Sequence, residues 1–344
     1  MKRSILRHKF ALWLVVALAL ALASCSQDEL AGGEQGTLLP YGKYPLELTA
    51  AIGEAVATPA TRGTVHGTWP DGYSYNYLQI ASSIEYPEEN KIDWMSYMVS
   101  TVRTYQIYAD GTMVIDRYYT RDPIYWRRTD EIIYIYAYSW SRTPDERNTS
   151  DPHEVYEDQS EEDKLNDSDY LFAYAALTFD GDHTLHFRHL TSKVTINLRP
   201  SKYLSAQAPE DVEVKLTGKN GGNWYIKGNF IGTDPNKITL FEAEGLEQSE
   251  IIPYRNPNPT EGMYATYEAV VIPQTITGTG KTIEIKVGET TYSYEVKCPK
   301  GKYTSGEEWI YNITVNAQGL DVTVEEGNIG WGQGGTGSGS VALP

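Results

Sequence analysis

Apolar and polar residues alternate along most of this chain. Leu46, Leu48, Ala50 and Ile52 are interleaved with Glu47, Thr49, Ala51 and Gly53, a period of two that sets one apolar row on one face and predicts a half-buried strand. Short bursts of the same kind recur downstream, at Tyr73 to Ile80, Met98 to Tyr108, Thr112 to Ile115 and Glu131 to Tyr138. A second set covers Leu185 to Phe187, Lys193 to Leu198, Val212 to Leu216, Trp224 to Ile226, Lys237 to Phe241 and Tyr264 to Ile272. It continues with Thr282 to Val287, Thr291 to Val296, Glu308 to Val315 and Leu320 to Val324. Asp110-Gly111 between alternating runs is a hairpin signal. No stretch keeps helical periodicity for three turns. Many short strands between turn residues predict an all-β chain, and 344 residues ask for two tandem β-sandwich domains.

Charge narrows the class of function. The chain carries 29 Lys+Arg against 46 Asp+Glu, a net charge of -17, so nucleic-acid phosphates and anionic lipid surfaces would repel it. Its 27 tyrosines suit half-buried sheet surfaces, and core packing is the expected role for most of them.

The N-terminus reads as an export segment. Lys2, Arg3, Arg7 and Lys9 precede an apolar run from Ala11 to Leu22, shorter than the ~20 residues a spanning helix needs. Leu22-Ala23-Ser24-Cys25 resembles the bacterial lipobox, which implies cleavage before Cys25 and acylation of its thiol. Residues 26–37 form a small, polar tether. After the first strand, Thr58-Pro59-Ala60-Thr61-Arg62-Gly63 is either a protease-accessible linker or an ordinary loop. Cys298 has no disulfide partner and reads as a buried small hydrophobe.

The usual signatures of catalysis are not found. His183, His186 and His189 alternate faces in an extended segment and do not gather as zinc ligands. The acids between Asp151 and Asp169 lack the central glycine of a calcium loop and read as solvated loop. No glycine pair leads into a helix N-terminus, and neither a nucleophile elbow nor a His-Glu-x-x-His pair occurs. No catalytic, cofactor-binding or metal-binding residue is assigned, and no cofactor is expected.

Several segments together carry a family resemblance. In order they are the lipobox at Cys25, the alternating strand ending at Ile52, Thr61-Arg62-Gly63 and Trp69 before Asp71-Gly72. Next comes Leu185-His186-Phe187-Arg188-His189-Leu190-Thr191-Ser192-Lys193-Val194. Val271-Ile272-Pro273-Gln274-Thr275, Gly306-Glu307-Glu308-Trp309 and Ile329-Gly330-Trp331 follow. The chain thus resembles the Bacteroidetes-type fimbrillins, subunits of type V pili. The resemblance implies two transthyretin-like β-sandwiches in a precursor exported through the periplasm as an outer-membrane lipoprotein. It implies a cut between Arg62 and Gly63 by an Arg-specific protease, followed by donor-strand exchange with other pilin subunits, in a homo- or heteropolymer.

On this reading residues 1–24 are the signal, 25–62 the tether and removable strand, 63–182 the first sandwich and 183–344 the second with its tail. Leu46, Leu48 and Ile52 mark the strand that leaves. Leu320, Val322 and Val324, or the Val341-Ala342-Leu343 end, mark the strand that is donated. Stalk, tip and accessory roles stay open, as does a host protein or glycan as adhesion partner. The competing reading is a lipid-anchored surface lipoprotein that binds glycan on a platform of tyrosines with Trp69, Trp94, Trp126 or Trp140.

Overall fold

The computed structural model describes residues 36–52, 73–82, 103–117, 123–139, 153–206, 211–219, 222–232, 235–243, 245–327 and 337–341, with backbone alone for 73–82, 139 and 337–341. Residues Cys25, Arg62, Gly63, Trp69, Trp94 and Trp140 lie outside them. The first strands are β1 (Leu48–Ile52), β2 (Tyr73–Ser82), β3 (Arg103–Ile107), β4 (Thr112–Ile115), β5 (Ile132–Ser139) and β6 (His153–Glu154). A one-turn helix, α1 (Glu162–Asp167), precedes β7 (Leu171–Thr178) and β8 (Thr184–His189). β9 (Ser192–Leu198), β10 (Val212–Gly218), β11 (Trp224–Tyr225), β12 (Lys227–Ile231), β13 (Thr239–Phe241), β14 (Gln248–Ser249) and β15 (Tyr254–Asn256) follow. The chain continues through β16 (Ala265–Val271), β17 (Lys281–Val287), β18 (Thr290–Glu295), β19 (Glu308–Asn316), β20 (Gly319–Glu326) and β21 (Gly337–Val341).

The fold is all-β and has two cores. Hydrogen bonds run round the first unit in the order β1-β4-β3-β2-β5-β7-β8 and back to β1. The second unit is built on a six-stranded sheet, β15-β16-β9-β19-β20-β21, faced by smaller sheets, among them β10-β17-β18. A division between 182 and 183 falls inside the β7–β8 connection and would set β8 in the second unit, whereas β8 pairs with β7 and β1 in the first sheet. β6 crosses the other way and pairs with β12 of the second unit.

β5 explains how the two cores are joined. Ile133, Ile135 and Ala137 point into the first core, while Tyr136 and Tyr138 alternate with them and point into the second. That is why Ile132 to Tyr138 reads as a nearly unbroken apolar run. Phe172 of β7 and Tyr170 pack beside them, with ring centroids 5.4 and 6.0 Å from that of Tyr138.

The acidic segment is not the uniform solvated loop expected from its composition. It contains β6, α1 and the fully buried side chains of His153, Gln159, Leu165 and Ser168. Gln159 fixes it to the main sheet, donating from Nε2 to the Val270 carbonyl at 2.8 Å and accepting from the Val270 N–H at 2.8 Å.

On β9, Val194, Ile196 and Leu198 fill the second core. Lys193, Thr195 and Asn197 alternate with them and are also buried. Lys193 Nζ lies 2.6 Å from Glu268 Oε1 on β16 and 3.6 Å from Glu308 Oε1 on β19, and Thr195 Oγ1 donates to Glu308 at 2.7 Å. Burial alone would pull the Lys193 ammonium down, but the two carboxylates outweigh it and hold the group above the ordinary lysine range. Its folded value being raised, the contribution is full below the ordinary lysine range and is lost only as pH rises through that higher value. Lys193→Met, which strands two buried carboxylates, is expected to destabilise the chain by about 3–5 kcal/mol at neutral pH. Urea unfolding of variant and wild type measures it.

Candidate strand-exchange site

The site grows from the alternation of Leu46, Leu48, Ala50 and Ile52, which are 3%, 3%, 4% and 5% exposed. All four belong to the first core, with Ile107, Met113, Leu185 and Phe187. β1 lies between two strands that share no other link. It is antiparallel to β4, Leu48 opposite Met113 and Thr49 opposite Thr112. It runs parallel to β8, with Thr49, Ala50, Ala51 and Ile52 opposite Thr184, Leu185, His186 and Phe187. Thr49 Oγ1 and Thr184 Oγ1 are 2.9 Å apart on the outer face.

The β3–β4 hairpin is shaped for this strand. Gly111 has φ of 85°, and Asp110 Oδ1 accepts from the Thr112 N–H at 2.8 Å. Gly111 also presents its carbonyl to the Ala50 N–H at 2.7 Å, and a Cβ on it would collide with the Ala50 carbonyl oxygen. Glycine is needed twice over, for the left-handed turn and for the close approach.

Upstream of β1 the chain continues as an extended strap along residues 124–130. The Leu46 N–H donates to the Ile124 carbonyl at 2.7 Å, the Trp126 N–H to that of Tyr44 at 2.9 Å, and the Leu39 N–H to that of Arg127 at 2.8 Å. At its start the Gly36 N–H donates to Asp130 Oδ2 at 2.8 Å. The Arg128 guanidinium is the main cause holding the Asp130 carboxyl well below the usual carboxylate range, and the Gly36 N–H adds to it. Strap and strand together cover one side of the first unit.

The other singled-out residues fall in different places. Leu320, Val322 and Val324 on β20 are 6%, 3% and 4% exposed and belong to the second core. β20 is hydrogen-bonded on both sides, to β19 over eight residue pairs and to β21 from Val322 opposite Val341 to Glu326 opposite Gly337. β21 is one of the two edge strands of that sheet, β15 being the other. Sequence reading did not foresee β21, because Gly337 to Ser340 lack any apolar alternation.

Trp126 is no glycan platform. It is 2% exposed, with ring centroids of Phe179 and His183 at 5.8 and 5.5 Å. Many tyrosines are likewise core residues. Tyr303 and Tyr311 are fully buried, bonded hydroxyl to hydroxyl, and the Tyr303 ring stacks on Trp309 with its centroid at 5.7 Å.

The histidines do not converge. His189 Nδ1 is 2.8 Å from Asp169 Oδ2, both buried, and Thr191 Oγ1 donates to the other oxygen of that carboxylate at 2.6 Å. His183 Nε2 sits 2.9 Å from the Thr178 carbonyl. Among the described residues, no group of three or more His, Cys, Asp and Glu could hold a metal ion. Cys298 is free and buried, and its Sγ donates to the Lys302 carbonyl at 3.2 Å.

An all-β chain of two cores, the first closed by its own N-terminal strand, is the class this geometry defines. The fimbrillin-like family matches residues 87–330, well over half of the sequence, and the chain belongs to that family. Among solved structures it is similar to a candidate cell adhesion protein from Bacteroides ovatus ATCC 8483, with 17% identity and a TM-score of 0.58 over 81% of this chain and 95% of that one. Another from Bacteroides uniformis ATCC 8492 gives 16% identity and a TM-score of 0.55 over 84% and 98%. At such identities the likeness is one of fold. No curated protein matches the chain in sequence.

Two outcomes follow from the packing. Leu48→Ala, which empties part of the first core, should lower the stability of the full chain by about 2–5 kcal/mol in denaturant unfolding. Burial pushes the Cys298 thiol up. In a chain that begins after Cys25, an aromatic disulfide reagent at pH 8 should therefore react with it on the order of 100-fold more slowly when folded than in guanidinium.

Proposed function

We propose that this chain is a pilus subunit made as a lipoprotein acylated on Cys25, cut after Arg62 by an Arg-specific protease, and joined to its neighbours by strand exchange. Membership of the fimbrillin-like family supports a fimbrial subunit at the cell surface, structural rather than catalytic in role. The cell adhesion description of the similar solved structures agrees with that setting.

The observation that carries the reading is the position of β1. A cut after residue 62 severs the strap and β1 from everything downstream. Their departure would open an apolar groove between β4 and β8 and leave the β8 edge from Thr184 to Phe187 without its partner. Water satisfies such a surface poorly, and an incoming strand satisfies it well. On the donor side, β20 is integral to the second core, and pulling it out would cost the donor its own Leu320, Val322 and Val324 packing. β21 leaves its sheet by giving up a single ladder. The segment around Val341 is the better donor.

The test compares wild-type and Arg62→Ala precursors treated with an Arg-specific protease. Wild type should yield a chain beginning at Gly63 and oligomers that resist heat and SDS, and the variant should yield neither. Equal laddering in both would overturn the role given to Arg62.

A further inference from the structure

The second unit contains a polar groove of about 590 Å3 that strand exchange does not use. It lies where β11, β14 and the ends of β10, β17 and β18 meet, and is lined by Lys219, Tyr225, Glu242, Gln248, Lys281 and Glu295. Its wall is made by close approach of two backbones. The Lys219 N–H donates to the Gly280 carbonyl at 2.8 Å, and a Cβ on Gly222 would collide with the Thr279 carbonyl oxygen.

Lys281 is the residue that asks for a ligand. It opens β17, is held there by pairing with Gly218, and is only 2% exposed. Among the described residues its ammonium has no carboxylate within ion-pair distance and no hydrogen-bond acceptor. It sits 5.4 Å from the centre of the Tyr225 ring. Burial is the main cause pulling its pKa below the ordinary lysine value, and attraction to Glu242 opposes this. The contrast with Lys193 is direct, since that buried lysine has two carboxylates around it. An ammonium offers three donors, and the open side of this one is the groove.

The remaining groups define what fits. Two lysines and two glutamates balance in charge, so the groove favours a ligand without net charge. Lys281 needs an oxygen that accepts. Glu242, which among the described residues takes only the Thr275 N–H at 3.1 Å on one oxygen, has lone pairs for a hydroxyl that donates. Neighbouring sugar hydroxyls do both. We propose that this groove is a carbohydrate subsite for a neutral hexose-type unit, Lys281 Nζ donating to one hydroxyl and the Glu242 carboxylate accepting from the next.

Saturation-transfer NMR on the full chain tests this, with glucose, galactose, mannose and N-acetylglucosamine as neutral probes and glucuronate and sialic acid as anionic ones. At least one neutral sugar should show transfer, weakened tenfold or more by Lys281→Met and by Glu242→Gln. Among the described residues Lys281 has no ion pair to lose, so the thermal midpoint of Lys281→Met should equal or exceed that of wild type, which separates lost binding from lost folding. Three results would each overturn the assignment: no transfer from any neutral sugar, transfer from the anionic sugars alone, or wild-type binding in both variants.

Discussion

Closure of the first unit by β1 is the constraint on which the rest depends. Burying Leu46, Leu48 and Ile52 contributes roughly 1.5–3 kcal/mol for each side chain, and the total is comparable with the whole stability of an ordinary domain, about 5–15 kcal/mol. A first unit without this strand is therefore only marginally stable. A severed strand would not simply drift away either, because the same contacts and the strap along residues 124–130 still hold it. On the proposed exchange, release and replacement would be one competitive event, in which the newcomer reoccupies the β8 edge as the old strand gives it up.

The segments that carry the family resemblance turn out to be joints of the fold. In the stretch from Leu185 to Val194, Phe187 fills the first core, His189 pairs with buried Asp169, Lys193 binds across three strands, and Val194 enters the second core. The Glu307-Glu308-Trp309 triplet works likewise. Glu307 Oε2 accepts from the Trp309 indole at 3.3 Å and from the Thr304 N–H at 2.9 Å, and Glu308 completes the Lys193 triad. In Val271-Ile272-Pro273-Gln274-Thr275, the Gln274 amide is buried and bridges to Tyr225, accepting from its N–H at 2.9 Å. The first of these segments passes from one core to the other, and the other two tie strands and loops within the second unit.

Legibility in the sequence followed the physics of burial. Strands with one wet face, such as β1, β17 and β20, alternate cleanly and were predictable to within a residue or two. β7, Leu171 to Thr178, escaped notice because both cores use it and because Ala173, Ala175 and Ala176 carry little pattern. Two-residue strands such as β6 and β14 are defined by partners far away in sequence, and composition does not reveal them. For the site, the alternation of Leu46 to Ile52 marked the closing strand, whereas its parallel pairing with β8 is a tertiary fact with no local trace. Lys281 was invisible for the same reason. A lysine opening an amphipathic strand looks solvated until its surroundings are assembled.

β5 bears on mechanics as well as on packing. With Ile133 and Ile135 set in one core and Tyr136 and Tyr138 in the other, the two units share a strand and are not two beads on a string. Tension entering one unit passes to its neighbour through interlocked side chains, with no slack to take up. Bending at the junction would have to expose aromatic rings to water, which opposes it. A filament assembled from such subunits would flex mainly where one subunit meets the next.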